Sequence, residues 1–139
     1  MAQIPLPRPY QDTAPYWEAA KARRFVVQKC RDCGQHQFYP RGVCSHCLSS
    51  ALDWVKGSGK ATVYSFTVNH RAPHPGFQEK TPFVLAIVEL AEGPRMMTNI
   101  VGVEPKPENL PIDLPVEVTW EQLDDKITLP LFRPAGGAR

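Results

Sequence analysis

Four cysteines in two close pairs are the feature of this sequence that most restricts its fold. Cys30 and Cys33 form one Cys-x-x-Cys pair, Cys44 and Cys47 form a second, and ten residues separate the two pairs. Each pair can bring two thiolates to one metal ion, and two pairs complete the closed tetrahedral set of a structural zinc site. The spacing therefore predicts Zn²⁺ bound by these four cysteines, with iron as the alternative metal. Four thiolates leave no open position for water or substrate, so the predicted role of the metal is structural.

Two other roles for residues of this region agree less well with the sequence. His36 and His46 lie close to the pairs and either could replace a thiolate, but four thiolates already fill the coordination shell. A redox Cys-x-x-Cys normally belongs to a thioredoxin-like βαβ unit, for which the sequence shows no pattern. The first ten residues contain no apolar signal core, and no apolar run approaches the roughly 18 residues of a membrane helix. We therefore expect a cytoplasmic protein with reduced, metal-binding cysteines.

The remaining sequence predicts one short helix followed by β structure. A proline-rich arm over 1–11 leads to a helix that begins at Asp12 or Thr13 and extends to Arg24. Apolar runs then predict strands, most of them after the second cysteine pair, over 25–29, 52–56, 60–70, 83–90, 95–101, 116–121 and 127–132.

Two of these strands carry patterns that assign their faces. Tyr64, Phe66 and Val68 alternate with polar or smaller residues, which predicts that these three side chains share one face. The run 83–90 is apolar almost throughout, as is typical of a strand that is covered on both faces.

The strand pattern favours a five-stranded OB-fold barrel, because closing the sheet removes its exposed edges. An SH3-like barrel is the alternative, since strand number alone does not separate the two. The prediction is thus a mainly β protein with three parts. These are an N-terminal arm and helix over 1–29, a rubredoxin-like zinc ribbon over 30–50 and an OB-fold domain over 51–139.

The sequence contains no recognisable catalytic set. It has no G-x-S-x-G motif, no P-loop and no dinucleotide-binding fingerprint. All four cysteines are assigned to the metal, so no thiol remains for covalent catalysis. We therefore assign no catalytic residue and do not expect the chain to be an enzyme by itself.

The loop 69–82 contains the candidate ligand-binding residues. His70, Arg71 and Lys80 could meet the charges of a phosphorylated ligand, and Phe77 could cover an aromatic group. A solvated loop with polar side chains is the simpler interpretation, and the residues alone do not decide between the two.

Six motifs in a fixed order resemble a known protein family. They are YWEAA at 16–20, CRDCG at 30–34, YPRGVC at 39–44, GSGKATVYSFT at 57–67, PFVLAIVEL at 82–90 and NIVG at 99–102. In this combination the chain resembles the zinc-ribbon/OB-fold proteins associated with acyl-CoA metabolism, which were long classed as a domain of unknown function. The resemblance covers nearly the whole chain.

This resemblance implies a non-catalytic accessory subunit. Members of the family are similar to partners of thiolase-fold enzymes, in which the small protein packs on the catalytic subunit and helps to form the CoA-binding region. We therefore expect a hetero-oligomer with a thiolase-fold catalytic subunit in an acyl-CoA thiolase (acyltransferase) complex. The resemblance supplies no residue motif for the CoA contacts, so we assign them to His70, Arg71, Phe77 and Lys80 on the chemistry of their side chains alone. Other members accompany hydratases or aldolases, so an accessory role in such an enzyme is the alternative.

A single-stranded nucleic-acid-binding module is a further alternative, since OB folds and zinc ribbons often bind single strands. The formal net charge of +2 is too small to indicate such a partner, and carboxylates are interspersed through the β domain. For a protein partner, we expect docking on the apolar faces of 83–90 and 95–101, together with Trp17 and the proline-rich arm. The same residues could instead be core.

Overall fold

A short helix, a three-stranded sheet and a closed five-stranded barrel follow one another in the computed structural model, which describes residues 5–135. This order confirms the predicted mainly β fold with an N-terminal helix, a zinc ribbon and a five-stranded barrel. Residues 1–4 of the predicted arm and 136–139 of the predicted OB-fold domain lie outside the described residues. The elements are α1 (Ala14–Lys21), β1 (Val26–Cys30), β2 (His36–Gln37), β3 (Leu52–Lys56), β4 (Lys60–Asn69), β5 (Phe83–Leu90), β6 (Arg95–Ile100), β7 (Pro115–Gln122) and β8 (Thr128–Pro134).

Helix α1 is shorter at its C-terminal end than the sequence pattern predicts. It ends at Lys21 because Arg23 adopts the left-handed conformation, with φ of 58°. The Arg24 N–H then donates to the Ala19 carbonyl at 2.8 Å, which closes the last turn. The buried face of the helix, with Tyr16 and Ala19, packs against the ribbon.

The ribbon sheet has the strand order β2-β1-β3. Strand β1 pairs antiparallel with β3 along its whole length, from Val26 opposite Lys56 to Cys30 opposite Leu52. Residues 52–56 were predicted to belong to the OB-fold domain, but their backbone hydrogen bonds belong to this sheet. Backbone pairing therefore extends the ribbon to residue 56.

The barrel has the strand order β4-β5-β6-β8-β7, and β7 pairs with β4 to close it. All neighbouring pairs are antiparallel except β6 and β8, which meet in parallel at Ile100 and Phe132. Pro130 lies two residues before Phe132 in β8, and as a proline it has no N–H to donate to β6.

A β-bulge in β4 overturns the predicted alternation of that strand. The pairing with β5 shifts between Val63 and Ser65, so the side chain of Val63 is fully buried whereas that of Tyr64 is exposed. Phe66 and Val68 pack against the core. The prediction that Tyr64 shares a face with them was wrong, because the extra residue of the bulge inverts the alternation.

The ribbon and the barrel share one hydrophobic core. Phe25 and Val27 from the ribbon side belong to the same buried cluster as Val63, Val88 and Phe132 of the barrel. The rings of Phe25 and Phe132 meet edge to face, with centroids 6.2 Å apart. No helix in the part of the chain that the structure describes is long and apolar enough to cross a membrane.

Candidate metal centre and adjoining surfaces

The structure brings all four predicted cysteine ligands to one point. Their Sγ atoms lie within 4.8 Å of one another, and the Cys30–Cys47 and Cys33–Cys44 Sγ pairs are each 3.6 Å apart. A tetrahedron of sulfur atoms about 2.3 Å from a central zinc ion has edges of about 3.8 Å. The observed separations therefore fit a four-thiolate zinc site that is held by these side chains.

Two loops with the same hydrogen-bonding pattern position the sulfur atoms. The Gly34 N–H donates to the Cys30 carbonyl at 2.9 Å, and the Leu48 N–H donates to the Cys44 carbonyl at 3.0 Å. Both Gly34 and Leu48 lie in the left-handed region, with φ of 75° and 66°. The two Cys-x-x-Cys segments are thus equivalent knuckles, one on each side of the site.

The knuckle N–H groups favour thiolates in the two buried cysteines. Burial opposes ionisation of Cys44, but the N–H groups of Cys47 and His46 outweigh it and lower the pKa of the Cys44 thiol to about 6. The Cys33 N–H is the main cause that lowers the pKa of Cys30.

The four thiols do not all ionise on their own. The Ser49 N–H favours the Cys47 thiolate, yet the neighbouring Cys30 thiol, burial and the other cysteines raise the pKa of Cys47 to about 12. A divalent cation that binds all four sulfur atoms would stabilise all four thiolates, as the chemistry of a structural zinc site requires.

The two nearby histidines are not part of the sulfur cluster. Within residues 5–135, the only group of histidine, cysteine and carboxylate side chains placed to hold a metal consists of the four cysteines. His36 and His46 instead line an open cleft of about 430 Å³ between the ribbon and the β5–β6 turn.

Two buried glutamines, which the sequence did not predict as part of the site, support the second knuckle. The Gln37 side-chain amide donates to the Gln28 side-chain oxygen at 2.7 Å, and that oxygen also accepts from the Arg41 N–H. The Gln37 side-chain oxygen accepts from the Ser45 N–H at 2.7 Å. These bonds tie the loop between the knuckles to β1 and β2. Gln28 is a polar residue within an apolar strand, and this interruption is the sequence signal that could have indicated a buried hydrogen-bonding role.

Only two of the four predicted CoA-binding residues lie together in a groove. Phe77 and Lys80 belong to a short 3₁₀ helix (Pro75–Lys80) and line a groove of about 360 Å³ beside β5, β6 and β8. The Phe77 and Phe83 ring centroids are 5.4 Å apart, and the Lys80 ammonium lies 3.8 Å from the Glu121 carboxylate. His70 and Arg71 are exposed at the start of the loop and do not line this groove.

Strand β5 has one buried face and one apolar face that the described residues leave partly open. Val84, Ala86 and Val88 point inward and are buried. Leu85 and Ile87 alternate with them and are only half-buried. The prediction that β5 is covered on both faces was therefore wrong for this chain alone.

This open side continues onto the neighbouring strand and the ribbon. Met97 lies opposite Ile87 and is 52% exposed, and its N–H donates to the hydroxyl of Tyr39 at 2.8 Å. We call Leu85, Ile87, Met97 and Tyr39 the outer face.

An apolar groove of about 510 Å³ adjoins the outer face. It lies between the N-terminal arm, α1, the ribbon loop and strands β6 and β8. Tyr39 and Met97 belong to both surfaces, and Trp17 and Pro7 line the opposite side of the groove. Pro7, Trp17 and Met97, which belong to segments predicted to meet a protein partner, therefore line one groove.

Two family models match adjoining parts of the chain. The model described as "ChsH2, rubredoxin-like zinc ribbon domain" matches residues 17–53. The model described as "ChsH2, C-terminal OB-fold domain" matches residues 54–121. Together they cover the metal centre, β3 and most of the barrel.

Related proteins align with most of the chain. The chain is 44% identical over 131 residues to a "probable enoyl-CoA hydratase alpha subunit" of Thermomonospora curvata, which covers 94% of this chain. It spans 40% of the length of that subunit. It is also 34% identical to a "DUF35 domain-containing scaffold protein" of Methanocaldococcus jannaschii, covering 78% of this chain and 77% of the relative.

A solved structure resembles the whole arrangement. The "Ltp2-ChsH2(DUF35) aldolase" contains a chain that is 43% identical in sequence, with a TM-score of 0.81. The match covers 94% of the present chain and 99% of the other.

Proposed function

Because the chain belongs to the DUF35 family of zinc-ribbon and OB-fold proteins, we propose that it is a non-catalytic subunit of an enzyme acting on acyl-CoA esters. The named relatives are a subunit of a hydratase and part of an aldolase. These names favour a hydratase or aldolase partner over the thiolase that the sequence analysis placed first. The four-cysteine site would hold a structural zinc ion that keeps the ribbon folded against the barrel.

The outer face is the observation that carries this proposal. A strand that is apolar on both sides but fully covered on only one gains further hydrophobic stabilisation when another surface packs against the other side. Leu85, Ile87 and Met97 form such a surface, and it continues into the groove beside Tyr39. A catalytic subunit that covers this region would bury it.

We propose that the chain supplies no reacting group of its own. Within residues 5–135, no serine, threonine or cysteine side chain hydrogen-bonds to a histidine ring. Among the described residues, the one hydrogen bond of a histidine ring is that of His74 Nδ1, which accepts from the Gly76 N–H and caps the 3₁₀ helix. In this proposal the reacting groups come from the partner subunit.

The nucleic-acid alternative has little support from charge. Residues 61–139 contain seven lysine or arginine residues and ten aspartate or glutamate residues. A barrel with this excess of carboxylates repels a polyphosphate backbone, which is bound mainly through cations.

We propose that the loop 69–82 contacts the CoA ester within the complex. Phe77 lines the groove beside β6 and could cover the pantetheine or adenine group, while Arg71, His70 and Lys80 could meet phosphates. Arg71 takes part in none of the five ion pairs found among the described residues.

The CoA contact can be tested in the reconstituted complex. We expect the double variant Arg71→Ala/Lys80→Ala to raise the KM for the acyl-CoA about tenfold with little change in kcat, because it removes binding that the ground state and the transition state share. Lys29→Ala, on an exposed position of β1, is the control. A KM that is unchanged in the double variant would contradict the assignment.

The partner itself can be identified by tagging the protein in its native host and purifying it at moderate salt. We expect one acyl-CoA enzyme subunit to co-purify in a fixed ratio, and mass spectrometry would show whether it is a hydratase, an aldolase or a thiolase. The substitution Ile87→Asp, on the outer face, should abolish co-purification. Recovery of the protein without any such enzyme would refute the proposed function.

A further inference from the structure

The two knuckles of the metal centre close with the same backbone hydrogen bond. The Cys30 N–H donates to the Gln35 carbonyl at 3.0 Å, and the Cys44 N–H donates to the Ser49 carbonyl at 2.7 Å. Gln35 and Ser49 each lie two residues after the last cysteine of their knuckle. These two residues therefore occupy equivalent positions in the two halves of the site.

One side-chain hydrogen bond ties the first knuckle (30–35) to the second (44–49). Asp32 lies between the two cysteines of the first knuckle, and its carboxylate accepts from the Ser49 hydroxyl at 2.5 Å. The same hydroxyl accepts from the Ala51 N–H at 3.0 Å, which leaves its proton for Asp32. Apart from the contacts between cysteine sulfur atoms, no other hydrogen bond joins these two segments in the described part of the chain.

The positional equivalents of this pair are not bonded to each other. His46 holds the position in the second knuckle that Asp32 holds in the first, and its partner by the same correspondence would be Gln35. His46 and Gln35 both line the open cleft of about 430 Å³. Among the described residues the only histidine ring with a hydrogen bond is that of His74. The knuckles are thus fastened through one of two equivalent pairs.

We propose that the hydrogen bond between Asp32 and Ser49 is a latch that holds the two knuckles together and slows the exchange of the zinc ion. Each knuckle supplies two of the four sulfur atoms, so release of a metal held by all four requires one knuckle to move away from the other. That movement breaks the latch. Neither residue is itself a ligand, and both act by positioning the cysteines. The inference concerns the metal site and does not depend on the proposed partner.

The test follows zinc release from the zinc-loaded full chain to an excess of a chromogenic chelator. Ser49→Ala and Asp32→Ala each remove one half of the latch, whereas Asp32→Asn removes the charge and keeps an oxygen acceptor. Ser50→Ala is the matched control, because Ser50 is exposed beside Ser49 and its hydroxyl forms no hydrogen bond among the described residues. The visible absorption of cobalt-loaded samples reports separately whether the four thiolate ligands are kept.

We expect Ser49→Ala and Asp32→Ala to release zinc about tenfold faster than the wild type, with unchanged cobalt spectra, because residues that support metal ligands typically contribute at least that factor to metal binding. The double variant should release zinc no faster than either single variant, since both changes remove the same bond. Ser50→Ala should match the wild type, and Asp32→Asn should lie between the wild type and Asp32→Ala.

Three results would overturn the latch. The first is unchanged release in Ser49→Ala, or equal acceleration in Ser50→Ala. The second is faster release in both Asp32 variants but not in Ser49→Ala, because the charge of Asp32 would then be the cause. The third is an altered cobalt spectrum in either single alanine variant, because the pair would then determine the ligand set itself.

Discussion

Tyr16 shows how one residue joins the helix to the ribbon. Its ring is 6% exposed and meets the rings of Trp17 and Phe38 edge on, with centroids 5.2 and 5.4 Å away. Burial, followed by the proximity of Tyr39, raises the pKa of the Tyr16 hydroxyl well above its usual range. The folded protein therefore keeps this tyrosine neutral at pH values where an unfolded chain would ionise it.

This shift predicts a loss of stability in alkali. Because the folded pKa lies above the unfolded value of about 10, the contribution of Tyr16 is complete below pH 10 and declines as pH rises towards the folded pKa. Denaturant unfolding between pH 8 and 11 should show a steeper loss for the wild type than for Tyr16→Phe. Tyr10→Phe, at a residue 67% exposed, should behave like the wild type. Parallel slopes in all three proteins would refute this assignment.

At the scale of elements, the turn between β3 and β4 fixes how the ribbon meets the barrel. Gly57 is buried, and a Cβ atom there would lie 2.7 Å from the Phe25 ring. Gly59 has φ of 77°, and a Cβ atom there would lie 2.7 Å from Cγ1 of Val118. The turn therefore requires glycine both for its conformation and for the close approach of ribbon and barrel.

Gly59 and Gly102 have nearly the same φ but differ in the space around them. Alanine at the two positions therefore separates the cost of the conformation from the cost of the close contact. Gly102 has φ of 75° but leaves 3.6 Å between an added Cβ atom and the Arg133 side chain, an ordinary contact. Gly102→Ala should cost about 1 kcal/mol, from conformation alone. Gly59→Ala should cost roughly 1–3 kcal/mol more, because it also displaces Val118. Urea unfolding of both variants measures the difference, and equal costs would show that Val118 yields without penalty.

At the scale of the molecule, the metal site and the barrel depend on each other through the shared core. Cys30 ends β1, the same strand that contributes Val27 to the buried cluster, and Phe25 lies directly before that strand. Loss of the metal would release both knuckles and with them the strand that covers one end of the barrel. The ribbon is thus part of the folding unit and not an appended finger.

Metal removal should therefore destabilise the whole chain in one step. Structural zinc contributes many kcal/mol in small domains, and a loss of about 5 kcal/mol would lower the melting temperature by at least about 10 °C here. Calorimetry before and after treatment with a strong chelator should show a single transition that moves to lower temperature, and added zinc should restore it. A barrel transition that stays at the original temperature would contradict the shared core.

The amino-acid sequence determined the features that depend on short-range spacing. Two residues between cysteines suffice to place two thiolates on one ion, so the four ligands were predictable without knowledge of the fold. Apolar periodicity located the helix and the strands of the barrel, because a strand's side-chain alternation is a local property. The ordered motifs also identified the family.

The tertiary structure alone decided which of these elements meet and which surfaces remain open. Strand 52–56 joined the ribbon because pairing partners are chosen by long-range contacts, and the bulge near Tyr64 arose from register with β5. Whether Leu85 and Ile87 are covered depends on what packs over β5, which no local pattern records. The left-handed conformation of Leu48 likewise could not be predicted, because the sequence does not specify φ.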